Sequence, residues 1–379
     1  MILVLTQCFP PDQGGIETLM GGLVGALIAQ GQSVHVLADH IRSKSGAQAA
    51  LDPALAGAPV ERFGGMRPLR RWLKRRRAAQ LIATGQVHAV IADSWKSLET
   101  LPDLPKLPVL VMIYGMEFPA HLSQSKQQRI RSALARATTL IPISRFSAAV
   151  VEPYRGTCPQ VMVHPPLPDL PEPDDASRAA LRAVLGPPSD GVSIMTLSRL
   201  EPRKGIDHVI RALPGLLKDF PSLVYYVGGG GADRQRLEAL AEGLGVRQQV
   251  RFLGFVPEAL KPALYEAVDV FVMPVRREGD SVEGFGIVYM EAAYYGVPSL
   301  AGSEGGAVDA VLDEQTGLIV DGSNPQAIAA QLHRLLADQA LRDRLGSAAR
   351  RRAREDFSWA HAVKTYLALC EGTPPNRQG

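Results

Sequence analysis

The strongest constraint on the fold is a proline-rich segment that separates two stretches of the same pattern. Residues 164–175 read HPPLPDLPEPDD and contain five prolines and four acidic residues. On both sides of this segment, short apolar runs alternate with helix-like stretches. Apolar runs bounded by turn residues are typical of strands buried on both faces, and strands alternating with helices form parallel sheets. Because proline-rich segments are stiff and extended, this one is expected to act as a hinge.

The pattern predicts an α/β protein with two Rossmann-like, doubly wound parallel-sheet domains facing a central cleft. A chain of 379 residues exceeds one ordinary domain. We expect an N-terminal domain over residues 1–165 and a second domain over 166–356, with a last helix at about 357–379 packed back on the first. The expected strands are ILVLTQ, SVHVLA, VHAVIAD, PVLVMIYG and TTLIPIS in the first domain, and VSIMTLS, SLVYYVG, VRFLGFV, DVFVMP and VPSLA in the second.

The composition favours a globular protein in a reducing compartment. Apolar residues make up 46% and charged residues 21% of the chain. No apolar run reaches the roughly 18 residues that span a bilayer, and the start MILVLTQCFPP indicates a first strand instead of a signal peptide. Cys8, Cys158 and Cys370 are far apart and lack metal-ligand spacing, so a cytoplasmic location is expected.

Two cations follow the first strand of the second domain, in the sequence LSRLEPRKGIDHVI. Arg199 and Lys204 precede a helix that is expected to begin near Ile206. Arginine offers a planar fork and lysine a point charge, so the two beside a helix N-terminus suit a diphosphate. The alternative is a solvated charged loop.

Two glutamates eight positions apart flank the stretch EGFGIVYME. Glu283 is expected in a loop, and a helix is expected to begin near Phe285 or Gly286. Backbone N–H groups of Gly284 and Gly286 would then form an anion cradle. Glu291 would lie two turns into the helix, where a buried carboxylate needs donors such as sugar hydroxyls. The alternative is a surface helix with two incidental acids.

Two further glycine-rich loops follow predicted strands. Gly14 and Gly15 precede a helix expected near Glu17, and Gly229 lies in YVGGGGADRQRLE. Such glycines let a backbone approach a ligand closely or simply turn the chain. The second loop fails the G-x-G-x-x-G register, which argues against a nicotinamide-dependent enzyme.

The segment 67–77, RPLRRWLKRRR, carries seven basic residues with two leucines and a tryptophan between them. A basic face with apolar insertions suits an anionic membrane surface. A solvated basic helix is the alternative. Nucleic acid is disfavoured, because the net charge is only +3 and no reader motif is present. The predicted membrane contacts are Arg70, Arg71, Trp72, Lys74 and Arg75.

Six motifs, in this order, resemble the retaining glycosyltransferases of family 4, which have the two-domain B-type glycosyltransferase (GT-B) fold. They are GGIE at 14–17, SRLEPRKG at 198–205, GGGADRQRLE at 229–238, VRFLGFVP at 250–257, EGFGIVYMEAAYYGVP at 283–298 and GSEGGAVDAV at 302–311. The motifs of the second domain look most like those of bacterial phosphatidylinositol and exopolysaccharide mannosyltransferases.

The resemblance implies roles for the matching residues. Arg199 and Lys204 would hold the donor diphosphate, and Glu283 would contact the donor sugar hydroxyls; these three form the catalytic set. Glu291 would take the ribose hydroxyls. The backbone contacts to the donor would come from Gly14, Gly15, Gly229, Val256, Gly284, Phe285, Gly286 and Ile287. Of these, Val256 would contact the base, and Gly15 would approach the diphosphate as the cleft closes.

One place departs from the family pattern. Many relatives have a His-Gly pair after the fourth strand of the first domain, where this chain reads IYGMEF. Tyr114 cannot supply a near-neutral imidazole. Tyr114 and Glu117 are therefore candidate contacts to the acceptor or the sugar.

The resemblance implies retaining, metal-independent transfer of a hexose, with mannose as the best guess, from GDP-mannose or a UDP-hexose. The acceptor would be lipid-linked or a polysaccharide precursor. The enzyme would act in the cytoplasm, peripherally on the inner face of the cell membrane, with no nucleic acid partner. Two alternatives stay open: the same chemistry on a soluble acceptor, and a non-catalytic scaffold that binds sugar nucleotides.

Overall fold

A computed structural model describes residues 1–12, 14–40, 55, 57–99, 101–102, 107–119, 121–185 and 191–373. The chain divides into two compact units. Unit 1 comprises Met1–Pro168 and Phe357–Gly379, and unit 2 comprises Asp169–Asp356. The division lies within the proline-rich segment, whose carbonyls at Leu170 and Pro171 accept hydrogen bonds from two tyrosines of unit 2.

Unit 1 is built on a six-stranded parallel sheet with the order β3-β2-β1-β4-β5-β6. Its strands are β1 Ile2–Leu5, β2 Val34–Asp39, β3 Val60–Phe63, β4 Ala89–Ala92, β5 Val109–Ile113 and β6 Thr139–Pro142, and its first helices are α1 Gly15–Ala29, α2 Arg67–Ala83, α3 Trp95–Leu98, α4 Gln124–Leu134 and α5 Arg145–Val151.

Unit 2 has a six-stranded parallel sheet with the order β12-β11-β10-β7-β8-β9. Its strands are β7 Ser193–Leu197, β8 Val224–Gly228, β9 Val250–Gly254, β10 Val270–Met273, β11 Ser299–Gly302 and β12 Gly317–Val320; its helices are α6 Asp175–Leu185, α7 Ile206–Leu216, α8 Arg234–Gly243, α9 Lys261–Glu266, α10 Ile287–Tyr294, α11 Ala307–Ala310, α12 Pro325–Ala337 and α13 Gln339–Asp356.

The two sheets have the same topology. Each begins in the middle, extends three strands to one edge, and then returns to build the other half. This is the doubly wound arrangement, so the predicted fold class is confirmed. In such a sheet the connections that follow the first and fourth strands run to opposite faces, which leaves a crevice for a ligand beyond the carboxyl ends of these strands.

Each sheet has one strand more than the five apolar runs that the sequence predicted. The additional strands, β3 and β12, each lie at the edge of a sheet. All four residues of β3, VERF, are only partly buried. Because the side chains of β3 are only partly buried, this edge strand does not need the continuous apolar run on which the prediction relied. Strand β12, GLIV, is a short apolar run that is mostly buried and that the prediction did not include.

The last helix, α14 Trp359–Cys370, belongs to unit 1. The Trp359 indole lies against α1 at Gly22, where an added Cβ would stand 2.5 Å from the indole nitrogen. The buried Tyr366 hydroxyl lies 3.4 Å from the sulfur of Met112 in β5. Among the helices of the described residues, none is both long enough and apolar enough to cross a membrane.

Candidate active site

A cluster of charged side chains in unit 2 lies near the end of β7. A short turn, Pro202–Lys204, follows β7 and leads into α7. Lys204 is buried in this turn, and its ammonium Nζ donates a hydrogen bond to Oε2 of Glu283. Glu283 comes from the connection between β10 and α10. The fold thus brings together two predicted site residues that are 79 positions apart in the chain.

Arg199 lies at the outer end of the same cluster. Its side chain is 75% exposed, and its Nη1 lies 3.0 Å from Oε1 of Glu201. The other oxygen of Glu201 accepts from Nε of Arg203 at 3.0 Å. Nη1 of Arg203 in turn lies 2.7 Å from Oε2 of Glu283. A continuous series of ion pairs therefore links Arg199 to Glu283 and Lys204.

Arg203 was not among the predicted site residues. Its only signal in the sequence was its place beside Lys204 in EPRKG. A sequence pattern does not show which of two adjacent cations points inward, and here both side chains do.

The cluster keeps Glu283 ionised. Burial by itself would raise the pKa of this carboxyl, but the charges of Lys204 and Arg203 outweigh it and hold the pKa below its usual value. Burial lowers the pKa of Lys204, and the charge of Glu283 opposes that effect. With three cations and two carboxylates, the cluster carries one excess positive charge and suits an anionic ligand.

The start of α10 lies close to the predicted position. Gly286 is the N-cap of α10, which begins at Ile287, one or two residues after the predicted start at Phe285 or Gly286. Gly286 has φ of 88°, and an added Cβ would stand 2.6 Å from the ring of Tyr289. A side chain is therefore excluded here, and the residues Gly284–Ile287 form the N-terminal end of a helix, where an anion is favoured.

Glu291 lies in α10 but not in the ion-pair series. Its Oε2 accepts a hydrogen bond from the hydroxyl of Tyr265 at 2.8 Å and lies 4.0 Å from Nζ of Lys261. Burial raises the pKa of Glu291, and the positive charge of Lys261 only partly opposes this. Lys261 also pairs with Glu258 at 2.7 Å. Glu291 thus belongs to a second polar group, formed between α10 and the segment of α9 that includes Lys261 and Tyr265.

Two other predicted donor contacts lie at neighbouring strand ends. Gly229 follows β8, and an added Cβ would stand 1.8 Å from the carbonyl oxygen of Ser198, so only glycine fits there. Val256 is buried two residues beyond β9. The connections after β7, β8, β9 and β10 therefore place these predicted residues beyond the carboxyl ends of the strands of unit 2.

A buried ion pair close to the end of β10 was not predicted from the sequence. Arg276, just beyond β10, donates to both carboxylate oxygens of Asp207, at 2.8 and 3.1 Å. Burial alone would raise the pKa of Asp207, but its hydrogen bonds to Arg276 keep the pKa low. The backbone N–H of Arg276 donates to the carbonyl of Arg203 at 2.9 Å. The pair therefore fixes the turn that carries Arg203, although nothing in either residue's local sequence marks it.

In unit 1, the predicted donor contacts Gly14 and Gly15 lie where the loop after β1 leads into α1. Gly14 is the N-cap of α1, which begins at Gly15, two residues before the predicted Glu17, and both glycines are exposed. Asp93, just beyond β4, holds the start of this loop: its Oδ2 accepts from the Thr6 hydroxyl at 3.0 Å and from the Gln7 N–H at 2.6 Å.

Tyr114 and Glu117 form a tight turn after β5. The backbone N–H of Tyr114 donates to Oε1 of Glu117 at 2.9 Å. Burial raises the pKa of Glu117 to about 7. The Tyr114 hydroxyl is buried and has no hydrogen-bond partner among the described residues. Because a buried hydroxyl without a partner is costly, this group is a candidate contact for a bound hydroxyl.

The basic segment forms α2, and one of its predicted membrane contacts must be corrected. Lys74 is only 2% exposed; its Nζ donates to Oδ1 of Asp39 at 2.7 Å and to the carbonyl of Thr6 at 2.8 Å. Lys74 is therefore an internal anchor of α2 and does not face a membrane. Arg70 is also drawn inward, with Nε 3.1 Å from Oδ2 of Asp39.

The outer face of α2 combines apolar and basic groups. Trp72 is 54% and Leu69 51% exposed, and Met66 at the N-cap is 79% exposed. Arg75 and Arg76 are exposed on the same helix, with the Arg76 guanidinium 5.6 Å from the centre of the Trp72 ring. Arg71 is partly buried and lies 3.5 Å from Glu99.

No group of three or more His, Cys, Asp or Glu residues within the described ranges could hold a metal ion. The positive charge at the strand ends of unit 2 comes from side chains and from a helix N-terminus. This arrangement can bind a diphosphate and can stabilise negative charge that develops on it.

Comparisons with known proteins identify the family of this chain. Residues 13–169 match the model of the Glycosyltransferase Family 4 domain, and residues 177–352 match that of Glycosyl transferases group 1. A GDP-mannose-dependent alpha-(1-6)-phosphatidylinositol monomannoside mannosyltransferase from Mycolicibacterium smegmatis is 32% identical over 100% of both chains. A D-inositol 3-phosphate glycosyltransferase from Salinispora arenicola is 36% identical over 62% of this chain and 55% of its own.

The fold also matches solved structures. Sucrose-phosphate synthase from Thermosynechococcus elongatus superposes with a TM-score of 0.79 at 21% identity, covering 98% of each chain. At that identity the likeness establishes the GT-B fold alone. Together with the full-length relative and the two domain matches, it places this chain in the family of group 1 and family 4 glycosyltransferases.

Proposed function

We propose that this glycosyltransferase moves mannose from GDP-mannose to a phosphatidylinositol-mannoside type of lipid acceptor, with retention of configuration and without a metal ion. The observation that carries the proposal is the contact of Lys204 and Arg203 with Glu283 beside the N-terminus of α10. The choice of donor and acceptor is supported by the full-length relative, which is named for GDP-mannose and phosphatidylinositol monomannoside.

On the donor side, unit 2 would hold the sugar nucleotide across its strand ends. Lys204 and Arg199 would bind the diphosphate together with the backbone N–H groups before α10. Glu283 would accept hydrogen bonds from hydroxyls of the mannose, and Glu291 from those of the ribose. Val256 and Gly229 would contact the base and the phosphates through their backbones.

In the transfer step, the bond between mannose C1 and the diphosphate oxygen breaks while the acceptor oxygen forms a new bond to C1 on the same face. The acceptor proton passes to an oxygen of the departing diphosphate. Lys204 and Arg199 stabilise the charge that builds up on that diphosphate, which is the role of preorganised cations in a transition state. Glu283 has no nucleophilic role in this step, because the two cations that share its Oε2 lower the nucleophilicity of the carboxylate.

On the acceptor side, unit 1 would supply Tyr114 and Glu117. The Tyr114 hydroxyl, which has no partner among the described residues, can donate to an acceptor hydroxyl or accept from one. The family resemblance implies that Gly14 and Gly15 are donor contacts.

We propose that α2 binds an anionic membrane on the cytoplasmic side, where a lipid acceptor is presented. Its outer face offers exposed Trp72 and Leu69 next to exposed Arg75 and Arg76. A tryptophan is favoured at the membrane interface, and each basic residue near an anionic surface adds about 1 kcal/mol.

The donor is tested by thermal denaturation with GDP-mannose, UDP-glucose and ADP-glucose. A nucleotide sugar at 100 times its dissociation constant stabilises the folded protein by about 2.7 kcal/mol. We expect this shift with GDP-mannose. A larger shift with UDP-glucose would contradict the proposed donor without affecting the proposed chemistry.

The acceptor is tested by mannose transfer from labelled GDP-mannose. One arm offers vesicles containing phosphatidylinositol monomannoside, and the other offers inositol 3-phosphate in solution. We expect product only in the vesicle arm, with the α-anomer established by NMR. Product only in the soluble arm would support the alternative of a soluble acceptor, and absence of turnover despite donor binding would support the scaffold alternative.

Membrane docking is tested by flotation with vesicles that contain anionic lipid. Replacing Arg75 and Arg76 with Gln removes two charges, so partitioning should fall about 30-fold. The matched control replaces Arg211 and Lys218, which are exposed on unit 2, and should float like the wild type. Equal loss in both variants would show a general effect of net charge instead of docking by α2.

A further inference from the structure

The carboxylate of Glu283 is held by two cations at the same atom. Nη1 of Arg203 lies 2.7 Å from Oε2 of Glu283, and the Lys204 ammonium hydrogen-bonds to that same oxygen. The side chains of Arg203 and Lys204 are each 9% exposed, and that of Glu283 is 12% exposed. The three groups therefore form a largely desolvated triad.

This arrangement creates a competition when a donor binds. The proposed role of Lys204 is to hold the diphosphate, yet in this structure its charge is directed at Glu283. A lysine ammonium is a point charge on a flexible stem, so it can turn from one anion to another. When it does, Glu283 remains a buried carboxylate with one cation fewer, and such a group tends to take up a proton.

Arg203 is fixed by contacts that a donor would not displace. Its Nε donates to Glu201 at 3.0 Å, while its carbonyl accepts from the N–H of Arg276 at 2.9 Å. Arg276 is itself held by the buried Asp207. The guanidinium fork thus bridges two carboxylates, and its backbone is tied to the end of β10.

We propose that Arg203 is a positioning residue: it keeps Glu283 charged and oriented toward the donor sugar while Lys204 moves from Glu283 to the diphosphate. This inference rests on the proposed function, which assigns the sugar to Glu283 and the diphosphate to Lys204. It adds that Glu283 and the diphosphate compete for Lys204. Without a donor, the ammonium of Lys204 is paired with Glu283.

The groups that set the charge of Glu283 come from each element packed against it. The turn before α7 contributes Arg203 and Lys204, whose charges outweigh the effect of burial and lower the pKa of Glu283, and Glu201, which pairs with Arg203. Helix α10 contributes Tyr289, whose pKa is raised by burial and by the charge of Glu283. The loop after β11 contributes a backbone contact, since the Gly306 N–H donates to the Glu283 carbonyl at 2.8 Å. Arg203 and Lys204 are the cations of this set, so removal of Arg203 should raise the pH at which Glu283 takes up a proton.

The first test measures GDP binding by calorimetry. Glu283→Gln removes the competitor for Lys204, so GDP should bind at least threefold more tightly than to the wild type, although mannose transfer falls. Arg203→Gln leaves Lys204 as the sole partner of Glu283, so GDP should bind at least threefold more weakly. Arg211→Gln, on the exposed face of α7, is the matched control and should bind GDP like the wild type.

The second test measures the pH dependence of kcat for mannose transfer. In Arg203→Gln the acid limb of the profile should move to higher pH, and kcat should fall more than KM for GDP-mannose changes. Arg203→Lys should restore the acid limb, because it restores the charge. A role of Arg203 in packing alone would lower stability without moving this limb.

Weaker GDP binding by Glu283→Gln overturns this inference but leaves the proposed function standing. The same holds if the acid limb stays in place in Arg203→Gln. Failure of the wild type to bind GDP overturns the proposed donor site, and this inference with it. If Arg203→Gln does not fold, as judged by its thermal transition, then Glu283→Gln and Arg203→Lys decide the question.

Discussion

Unit 1 and unit 2 share one strand order but carry different chemistry at the carboxyl ends of their strands. In unit 2, an ion-pair series from Arg199 to Lys204 surrounds Glu283 and has an excess of positive charge. In unit 1, the carboxyl ends of the strands carry the hydrogen-bonded carboxylate of Asp93 and the buried pair of Lys74 with Asp39. The comparison shows that the fold provides the place for a ligand, whereas the connecting loops decide its charge.

The roles of these strand ends in the two units can be compared by replacing the buried lysine of each unit. Both Lys74 and Lys204 are buried and paired with a carboxylate. If the comparison is right, loss of Lys204 impairs mainly catalysis, and loss of Lys74 impairs mainly stability.

The largest expected effect is on mannose transfer by Lys204→Ala. Loss of one preorganised group that stabilises transition-state charge costs about 10²–10³-fold in kcat. The measurement is steady-state turnover of GDP-mannose, with Lys218→Ala, an exposed lysine beyond α7, as the control. A reduction below tenfold would remove Lys204 from the proposed catalytic set.

The next effect is on the stability of unit 1. Lys74→Met leaves Asp39 buried with the partly exposed Arg70 as its remaining cation, so the free energy of unfolding should fall by about 3 kcal/mol. Urea denaturation measures this loss. Arg75→Met, one position along α2 and exposed, should change stability by less than about 0.5 kcal/mol. Equal changes in the two variants would contradict the role of Lys74 as an internal anchor.

An effect of similar size concerns the pH dependence of stability at Glu117. Its pKa is raised to about 7 in the folded protein, from an ordinary value of 4.5. The folded state then binds a proton that the unfolded state has lost, so the free energy of unfolding falls as the pH rises from about 4.5 to 7. Glu117→Gln keeps an acceptor for the Tyr114 N–H but does not titrate.

Glu117→Gln should therefore be more stable than the wild type by about 3 kcal/mol at pH 8, and the advantage should vanish near pH 4. Thermal denaturation of both proteins across this range provides the measurement. A difference that does not vary with pH would show that the carboxyl of Glu117 keeps its ordinary pKa.

The smallest effect on stability is expected at Tyr114. Its hydroxyl is buried without a partner among the described residues, so Tyr114→Phe should raise the free energy of unfolding by about 1 kcal/mol. If the hydroxyl binds the acceptor, the same variant should raise KM for the lipid acceptor about tenfold. A stabilised variant with unchanged acceptor KM would remove Tyr114 from the acceptor site.

The comparison also shows how far the sequence predicted the site. Lys204 and Glu283 were predicted, because each follows a strand with a strong apolar run and precedes a helix whose start is marked by glycine. Arg203 was missed, since the orientation of neighbouring side chains in a short turn depends on partners elsewhere in the chain. Lys74 was wrongly assigned to the membrane, because a run of basic residues does not show which one faces the core.

The sequence by itself determined the two doubly wound sheets, the family, and the segments that carry the candidate site. These depend on local properties: apolar runs, glycines at helix starts and a proline-rich boundary. The tertiary structure decided that β3 and β12 complete the sheets, that Arg203 and Lys204 share one oxygen of Glu283, and that Lys74 points inward. Those outcomes depend on contacts between residues far apart in the chain, where burial and charge select a partner that no local pattern names.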